Sequence, residues 1–369
     1  MFQNRRAKTL RIIASRGIPA AHGGFETFAE HLAVHLTRKS WKVIVYCQND
    51  LNWKFYTTEW KGVKRIHIPS FFSGALGTFV YDFLSVIHVC FSRNLVLTFG
   101  YNTAIFALAF RLFNVFNIIN MDGIEWKRKK WSAPIKGWFY VNELFGLVLG
   151  NHLIADHPVI KLHLQRFVKR SAITMIPYFG NLTERTDRDL LKSFDLSVHG
   201  FCLIIARPEP ENMLFEMVSG FSEKKRGVAL VVLGNYDPLN KYHRRIKQVA
   251  SSEVRFPGAI YDSVIVSTLR TYCLLYFHGH TVGGTNPSLV EAMAAGSPVL
   301  AHHNKFNRWV AGTNAAYFTN RVTFIEKLDN LLSHREIIFA MGHQIHRRFK
   351  VRFTKDKILE RYESLLNGF

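Results

Sequence analysis

The sequence predicts an α/β protein built from two doubly wound parallel sheets. Short apolar runs alternate with segments of helical periodicity along both halves of the 369-residue chain, as in parallel sheets that are covered by helices on both faces. Glycine loops follow two of the runs, where ligands of open parallel sheets bind. A polar, charged stretch over 183–199 separates the halves, and we expect the joint between two domains near 180–185.

The first half contains seven predicted strands and three predicted helices. The strands cover 10–14, 42–47, 63–68, 95–99, 115–120, 152–155 and 173–176. The helices cover 25–36, where apolar residues recur at helical spacing, 79–89 and 104–112.

The second half repeats the alternation without a short internal sequence repeat. Its predicted strands cover 201–206, 228–233, 254–256, 273–277 and 298–301. Its predicted helices are one that ends at 220, one over 241–250, one that begins at 287 and stops at 296, and those from 320 to the end of the chain.

The fourth predicted strand of the second half leads into a glycine loop and a helix. Gly283 and Gly284 let a ligand approach the backbone closely. Asn286 is a favourable N-cap and Pro287 is tolerated in a first turn, so the free N–H groups of the helix face the loop and suit a phosphate. Glu291, about one turn further, could accept hydrogen bonds from a ribose. A helix cap with a surface glutamate is the alternative interpretation.

Further candidate residues follow three other predicted strands. Arg207 could hold a diphosphate bidentately and stabilise it as a leaving group, or it could form a salt bridge between the domains. Gly23 and Gly24 could bring the backbone close to a phosphate or sugar, or they could form a plain tight turn. Asp122 could orient a sugar hydroxyl or accept a proton, or it could cap a helix.

His278 and His280 flank a single glycine. A metal site needs further ligands, and no third His, Cys or carboxylate stands at ligand spacing. We therefore expect the two histidines to line a sugar-phosphate pocket or to have a structural role.

The chain is strongly basic, with a net charge of +21. This charge indicates an acidic partner: nucleic acid, an anionic membrane or a phosphorylated substrate. The densest basic run, 127–130, is flanked by Trp126 and Trp131, and such a run suits a membrane surface at least as well as nucleic acid.

Two apolar segments are long enough to be considered as membrane spans. Residues 71–91 and 103–119 are both interrupted by charged and polar side chains, so we expect buried or interfacial helices there. We expect no signal peptide at the N-terminus.

The four cysteines form no CxxC pair. They are Cys47, Cys90, Cys202 and Cys273. Most of them begin or end an apolar run, so we expect free buried thiols in a reducing compartment.

Four stretches of the chain, in order, resemble the retaining glycosyltransferases of family 4. They are 16–19 with 22–27, 122–131, 207–212 and 278–293. Residues 288–299 resemble the donor-binding signature of that family. The stretches are most similar to a bacterial subfamily that builds capsule and O-antigen polysaccharide and includes rhamnosyltransferases.

This resemblance implies the GT-B fold, in which two Rossmann-like domains face a central cleft. It implies an acceptor-side domain over 1–182, a donor-nucleotide domain over 183–345 and a C-terminal helix over 346–369 that packs back on the first domain. It also implies a retaining mechanism that needs no metal cofactor.

The resemblance also implies roles by position. Glu291 matches the glutamate that holds the donor ribose, and Arg207 matches the arginine on the donor diphosphate. Gly23 and Gly24 match the loop beside the donor phosphate and the acceptor. The loop and helix start that bind diphosphate and sugar correspond to Gly283, Gly284, Thr285, Asn286 and Ser288.

The remaining candidates come from the other matched motifs. Asp122 is the catalytic candidate, by position only. The candidates for the sugar and acceptor side are Arg16, Phe25, Glu125, His278 and His280.

The sequence departs from the wider family at two positions. Gly283 stands where the family has a glutamate, eight residues before Glu291, and Asn212 replaces a lysine. These changes thin the positive charge at the diphosphate and leave the catalytic carbonyl or carboxylate unassigned. The subfamily shares both changes, so they do not exclude activity.

The sequence therefore predicts a glycosyltransferase that moves rhamnose or another hexose from a dTDP- or UDP-sugar. The expected acceptor is a saccharide or a polyprenyl-diphosphate-linked saccharide. The expected location is the cytoplasm, peripheral at the anionic inner face of a bacterial plasma membrane, with no nucleic-acid partner. A non-catalytic or epimerase-like GT-B protein that binds a nucleotide sugar is the alternative.

Overall fold

The computed structural model describes residues 8–20, 23–49, 54–180 and 185–369, which divide into two compact units. Within these ranges, the first unit contains the residues up to Lys127, Trp131–Pro177 and Ile358–Phe369. The second unit contains Arg128–Lys130 and Tyr178–Lys357, except for the undescribed residues. His22 of the first matched motif lies outside the described residues. The same holds for 181–184, most of the expected joint near 180–185.

The described strands of the first unit form one eight-stranded sheet in the order β3-β4-β2-β1-β5-β6-β7-β8. Every neighbouring pair is parallel except β3 and β4. The strands are β1 Thr9–Ile13, β2 Lys42–Asn49, β3 Tyr56–Trp60, β4 Val63–Pro69, β5 Leu95–Phe99, β6 Asn117–Asn120, β7 His152–Ala155 and β8 Ile173–Met175. The sequence analysis missed β3 because this edge strand is largely exposed and has no apolar run.

Helices connect the strands of this sheet. They are α1 Gly24–Arg38, α2 Gly74–Cys90, α3 Ala107–Leu112, α4 Ala133–Leu149 and α5 Pro158–Leu164. The prediction missed α4 because apolar residues lie around most of its circumference, so no narrow stripe marks it as a helix.

The described strands of the second unit form a six-stranded, fully parallel sheet in the order β11-β10-β9-β12-β13-β14. The strands are β9 Phe201–Ile205, β10 Ala229–Leu233, β11 Val254–Gly258, β12 Leu275–His278, β13 Val299–His302 and β14 Ala316–Phe318. The helices are α6 Leu214–Phe221, α7 Lys241–Gln248, α8 Ser263–Tyr272, α9 Pro287–Ala294, α10 Lys305–Ala311, α11 Arg321–Ser333 and α12 Arg335–Arg352. The two sheets confirm the predicted doubly wound α/β class.

The last helix, α13 Lys355–Asn367, contributes most of its length to the first unit. Its Tyr362 is fully buried, with its ring centroid 4.7 Å from that of Phe28 on α1. The Asn120 amide donates to the Tyr362 hydroxyl at 3.0 Å. The sequence analysis placed a single helix over 346–369, whereas the part that joins the first unit begins at Ile358.

Two sequence expectations concern the interior and the membrane. All four cysteines are buried and free, as predicted. None of the helices in the described ranges is both long and apolar enough to cross a bilayer.

We predict that Tyr362→Ala lowers the free energy of unfolding of the first unit by about 3–5 kcal/mol, because it empties a fully buried aromatic position. Urea unfolding followed by circular dichroism measures this loss. The matched control is Glu363→Ala on the same helix, which removes only a partly exposed pair with His35 and should cost no more than about 1 kcal/mol. Equal effects of the two variants would contradict the burial argument.

Candidate functional site

The candidate donor site lies at the carboxyl edge of the six-stranded sheet. The neighbouring strands β9, β12 and β13 end beside one another. Arg207 follows β9, His278 ends β12, and the loop that contains Gly283 leads from β12 into α9. Ligands of open parallel sheets bind at this edge.

The start of α9 is built as the sequence predicts. The Asn286 side chain accepts the backbone N–H of Ser288 at 3.0 Å, and Pro287 occupies the first turn. The Ser288 hydroxyl shares a 2.5 Å hydrogen bond with Tyr276 and donates to the Ile205 carbonyl at 3.2 Å. Ser288 therefore ties α9 to the ends of β9 and β12, and its hydroxyl already has two partners.

The loop before α9 leaves space at its glycine. Gly283 has φ +119°, a conformation that L side chains rarely adopt, and a Cβ there would have no neighbour within 4 Å. Backbone conformation, and not crowding, is thus what requires glycine at this position. Gly284 follows it, and Thr285 is buried directly before the cap residue.

Glu291 has a partner that the sequence analysis missed. Its carboxylate lies 2.6 Å from the guanidinium of Arg270, which is on α8 and is 8% exposed, whereas the Glu291 side chain is 26% exposed. Arg270 therefore holds the carboxylate from its buried side and leaves another part of it accessible. No local pattern links the two residues, because they meet only through packing of α8 and α9.

Arg207 lies in a short, ordered turn. Its carbonyl accepts the side-chain N–H of Asn212 at 2.8 Å and the backbone N–H of Glu209 at 2.7 Å, while the residue itself is exposed. Glu211, which is buried, pairs with Arg128, with Nε donating at 3.0 Å. Asn212 thus supports the backbone of Arg207 instead of adding a charge to the site.

The loop that contains His278 and His280 is held directly against the Arg207 turn. Both the N–H and the hydroxyl of Thr281 donate to the Glu211 carbonyl at 2.9 Å. A Cβ on Gly279 would lie 2.1 Å from the Asn212 carbonyl oxygen, a distance that no side chain tolerates. The glycine between the histidines is therefore required by the close approach of the Arg207 turn.

His278 and His280 stack with ring centroids 4.5 Å apart. Burial, with smaller effects from His280 and His302, holds the pKa of His278 well below its usual value. Burial, followed by the charges of Arg128 and Arg207, lowers the pKa of His280 to about 3. Both rings are therefore neutral at physiological pH and can act as hydrogen-bonding groups without charge.

The backbone of His280 is held by two asparagines that the sequence analysis did not single out. Asn304 and Asn307 donate from their side chains to the His280 carbonyl at 2.8 and 2.9 Å. Asn304 also caps α10 by accepting two backbone N–H groups. Within the described part of the chain, no three His, Cys, Asp or Glu side chains are grouped so that they could hold a metal ion.

The first unit carries the other group of candidates. Gly23 precedes α1, Gly24 begins it, and the Gly23 carbonyl accepts the Thr27 N–H at 3.1 Å. Arg16, after β1, is exposed. Phe25 packs on Phe99 at the end of β5, with centroids 5.3 Å apart, so part of its ring serves packing.

Asp122 follows β6 with φ +50°, and its N–H donates to the Asn120 side chain at 3.1 Å. A non-glycine residue in this left-handed region stores strain, which is common at functional sites. The Glu125 carboxylate accepts the Trp131 indole N–H at 3.2 Å, and the Glu125 N–H donates to Tyr101 at 2.8 Å. Glu125 therefore helps to hold the segment that carries Asp122.

The structure thus groups the candidates by unit. Arg207, Glu291, the Gly283–Ser288 loop and both histidines belong to the second unit. The candidates of the first unit are Arg16, Gly23, Gly24, Phe25, Asp122 and Glu125.

We predict that Gly279→Ala destabilises the second unit by about 1–3 kcal/mol or more, because the added methyl group overlaps the Asn212 carbonyl. Thermal unfolding measures the loss. Gly137→Ala is the control, since a Cβ there meets nothing within 4 Å in helix α4, and this change should stabilise by up to about 1 kcal/mol. A Gly279→Ala protein as stable as the wild type would refute the close approach.

We predict that His280→Gln flattens the acid dependence of stability. The lowered pKa means that the unfolded chain binds a proton which the folded chain does not, so wild-type stability falls as pH drops below about 6.5, by up to about 1.4 kcal/mol per pH unit. Urea unfolding at a series of pH values from 7 down to 4 measures both slopes. Parallel curves for the two proteins would contradict a neutral His280.

Comparison with known proteins finds a family match over the first half of the chain. Residues 7–181 match the family described as "Domain of unknown function (DUF1972)". No curated protein sequence matches the chain.

Solved structures resemble the chain over nearly its whole length. Sucrose-phosphate synthase from Thermosynechococcus elongatus is 16% identical with a TM-score of 0.80, and the match covers 98% of each chain. HepE of Anabaena, in complex with UDP and glucose, is 14% identical with a TM-score of 0.78, over 99% of this chain and 100% of HepE. The α,α-trehalose 6-phosphate synthase of Burkholderia multivorans is 10% identical with a TM-score of 0.74, over 98% of this chain and 99% of that one. The chain therefore has the GT-B fold.

Proposed function

We propose that this protein is a retaining glycosyltransferase that transfers a sugar from a nucleotide-diphosphate sugar. One observation carries the proposal: Arg207, the capped N-terminus of α9 and Glu291 all lie at the carboxyl edge of one parallel sheet. A guanidinium and a helix N-terminus suit a diphosphate, and a carboxylate about one turn into the helix suits a ribose. The GT-B fold, which HepE adopts in complex with UDP and glucose, supports a nucleotide-sugar donor.

In this proposal the donor is bound mainly by the second unit. Arg207 contacts the diphosphate, and the backbone of the Gly283–Ser288 loop contacts the diphosphate and the sugar. The Ser288 hydroxyl is engaged with Tyr276 and Ile205, and its backbone N–H with Asn286, so Ser288 positions the start of α9 for this contact. Glu291, oriented by Arg270, accepts the ribose hydroxyls: two from UDP, or the 3′ hydroxyl alone from dTDP.

The chemistry requires charge stabilisation more than a nucleophile. When the glycosidic bond to the diphosphate breaks, negative charge develops on the leaving group, and Arg207 and the N-terminus of α9 offset it. The neutral rings of His278 and His280 offer hydrogen bonds to the sugar without attracting a second anion. This scheme assigns no step to a metal ion.

The first unit serves the acceptor in this proposal. Asp122 orients the acceptor hydroxyl or accepts its proton, while Gly23 and Gly24 allow the backbone to approach the donor phosphate and the acceptor. Arg16, Phe25 and Glu125 are further candidates for contacts with the acceptor.

The finer assignment is a family 4 enzyme of bacterial capsule or O-antigen synthesis. The donor is dTDP-rhamnose or another dTDP- or UDP-hexose, and the acceptor is a polyprenyl-diphosphate-linked saccharide. The protein is then cytoplasmic and peripheral at the anionic inner face of the plasma membrane, and the basic run 127–130 with its flanking tryptophans supports that location.

A second candidate is a GT-B protein that binds a nucleotide sugar without transferring it. Asn212 favours it, because this residue holds the Arg207 carbonyl and adds no charge. Gly283 favours it too, because it offers no carboxylate. Release of nucleoside diphosphate in the presence of an acceptor separates the two candidates.

We predict that one of UDP, dTDP, GDP and ADP raises the melting temperature of the wild-type protein and that Glu291→Ala loses this shift. A nucleotide at a hundred times its dissociation constant stabilises by about 2.7 kcal/mol. Glu326→Ala, which changes an exposed glutamate on α11, is the matched control and should keep the full shift. A wild-type protein that no nucleotide stabilises, or a shift that both variants retain, would overturn the donor site.

A further inference from the structure

The outward face of helix α2 is apolar along its length. Leu76, Phe79, Phe83 and Ile87 are exposed and recur at helical spacing. Phe91, which directly follows the helix, is 81% exposed. The acidic side chain of this helix, Asp82, is buried. The titratable group on its exposed side is His88, which pairs through Nδ1 with the Tyr46 hydroxyl at 2.8 Å and whose pKa is lowered by burial.

Helices α3 and α4 extend this face. Leu112 on α3 is 75% exposed and Val148 on α4 is 72% exposed. The Phe91 and Phe113 rings lie 6.3 Å apart, which joins the ends of α2 and α3. The Arg111 guanidinium donates to the Val148 carbonyl at 3.2 Å, which joins the ends of α3 and α4.

Helices α2 and α4 also meet near their other ends. The Phe79 ring on α2 lies 6.0 Å from the Trp138 ring on α4. Trp138 is 40% exposed, and its indole N–H donates to the Asn102 carbonyl at 2.9 Å. We call the continuous outward surface of α2, α3 and α4 the apolar face; monomeric soluble proteins rarely expose a contiguous apolar surface of this kind without a partner.

Exposed basic side chains border the apolar face, and the acidic side chain beside them, Glu125, accepts the Trp131 indole N–H. Arg93 follows Phe91 and is exposed, Lys127 is exposed just before α4, and Lys136 lies in the first turns of α4. The acidic side chains within the three helices, Asp82 and Glu143, are both buried. An apolar surface with a basic rim and an exposed tryptophan is complementary to an anionic lipid surface.

A second copy of the chain fits this face less well. A symmetric contact would place the same basic rim on both partners, and like charges oppose each other in such an interface. An anionic bilayer instead attracts the rim and accepts the apolar side chains between the headgroups.

We propose that the apolar face lies on an anionic lipid bilayer, with its phenylalanine, leucine and valine side chains at the boundary of headgroups and acyl chains. Arg93, Lys127 and Lys136 then contact the lipid phosphates. The use of this contact rests on the proposed function: it would hold the first unit at the surface where a lipid-linked acceptor resides. The proposal adds insertion of the apolar face into the bilayer to the electrostatic contact expected from the run 127–130.

The test is sedimentation of the full chain with vesicles of equimolar phosphatidylcholine and phosphatidylglycerol, and with vesicles of phosphatidylcholine alone. We expect binding to the mixed vesicles that the triple variant Phe91→Ser, Leu112→Ser and Val148→Ser weakens by about tenfold, since each side chain contributes modestly to insertion. These three side chains are largely exposed, so their loss should spare the fold. The matched control is Leu239→Ser, Tyr261→Ser and Val322→Ser, which removes three exposed apolar side chains of the second unit and should bind as the wild type does.

Two outcomes with the vesicles would overturn the proposal. Equal vesicle binding by both triple variants would exclude insertion of the apolar face. A wild-type dimer that the first triple variant dissociates, with vesicle binding unchanged, would show that a second copy covers the face. Nucleotide-induced thermal shifts of the same proteins keep the two proposals separable: a normal shift without vesicle binding refutes only the membrane contact, and vesicle binding without any shift refutes only the donor site.

Discussion

The candidate donor site depends on the contact between the Arg207 turn and the loop that contains His278 and His280. The Glu211 carbonyl receives both donors of Thr281, and Gly279 brings the two backbones too close for any side chain between them. This contact fixes the stacked histidines relative to Arg207. A loop held by backbone hydrogen bonds on both sides loses little entropy when a ligand binds, which is the basis of preorganisation.

The electrostatics of the site follow from this close packing. Burial keeps both histidines neutral, so exposed Arg207 and the N-terminus of α9 supply the positive potential at this edge of the sheet. Arg270 and Glu291 form an ion pair that is less exposed than Arg207, and their charges offset each other. An exposed guanidinium beside neutral hydrogen-bonding groups is suited to a diphosphate and its sugar.

The first unit uses the two faces of its sheet differently. On one face, α1 packs against α13, and Tyr362 closes the core. On the other, α2, α3 and α4 bury their inner sides and leave an outer surface that is nearly free of charge. The apolar composition that makes 71–91 and 103–119 resemble membrane spans is thus explained by helices that are buried on one side and apolar on the other. This outcome agrees with the expectation of buried or interfacial helices.

The sequence by itself determined the α/β class, most strands and the start of α9, because these depend on local patterns: apolar runs, N-caps and first-turn prolines. It missed β3 and α4, whose patterns are respectively too polar and too uniformly apolar, and it also missed α5, α8, α10 and β14. Only the tertiary structure decided which groups are available at the candidate site. Ser288 is engaged by Tyr276, Glu291 is held by Arg270, and Asn304 and Asn307 support His280. Such partners come from different strands and helices, and their pairing depends on long-range packing that no local periodicity encodes.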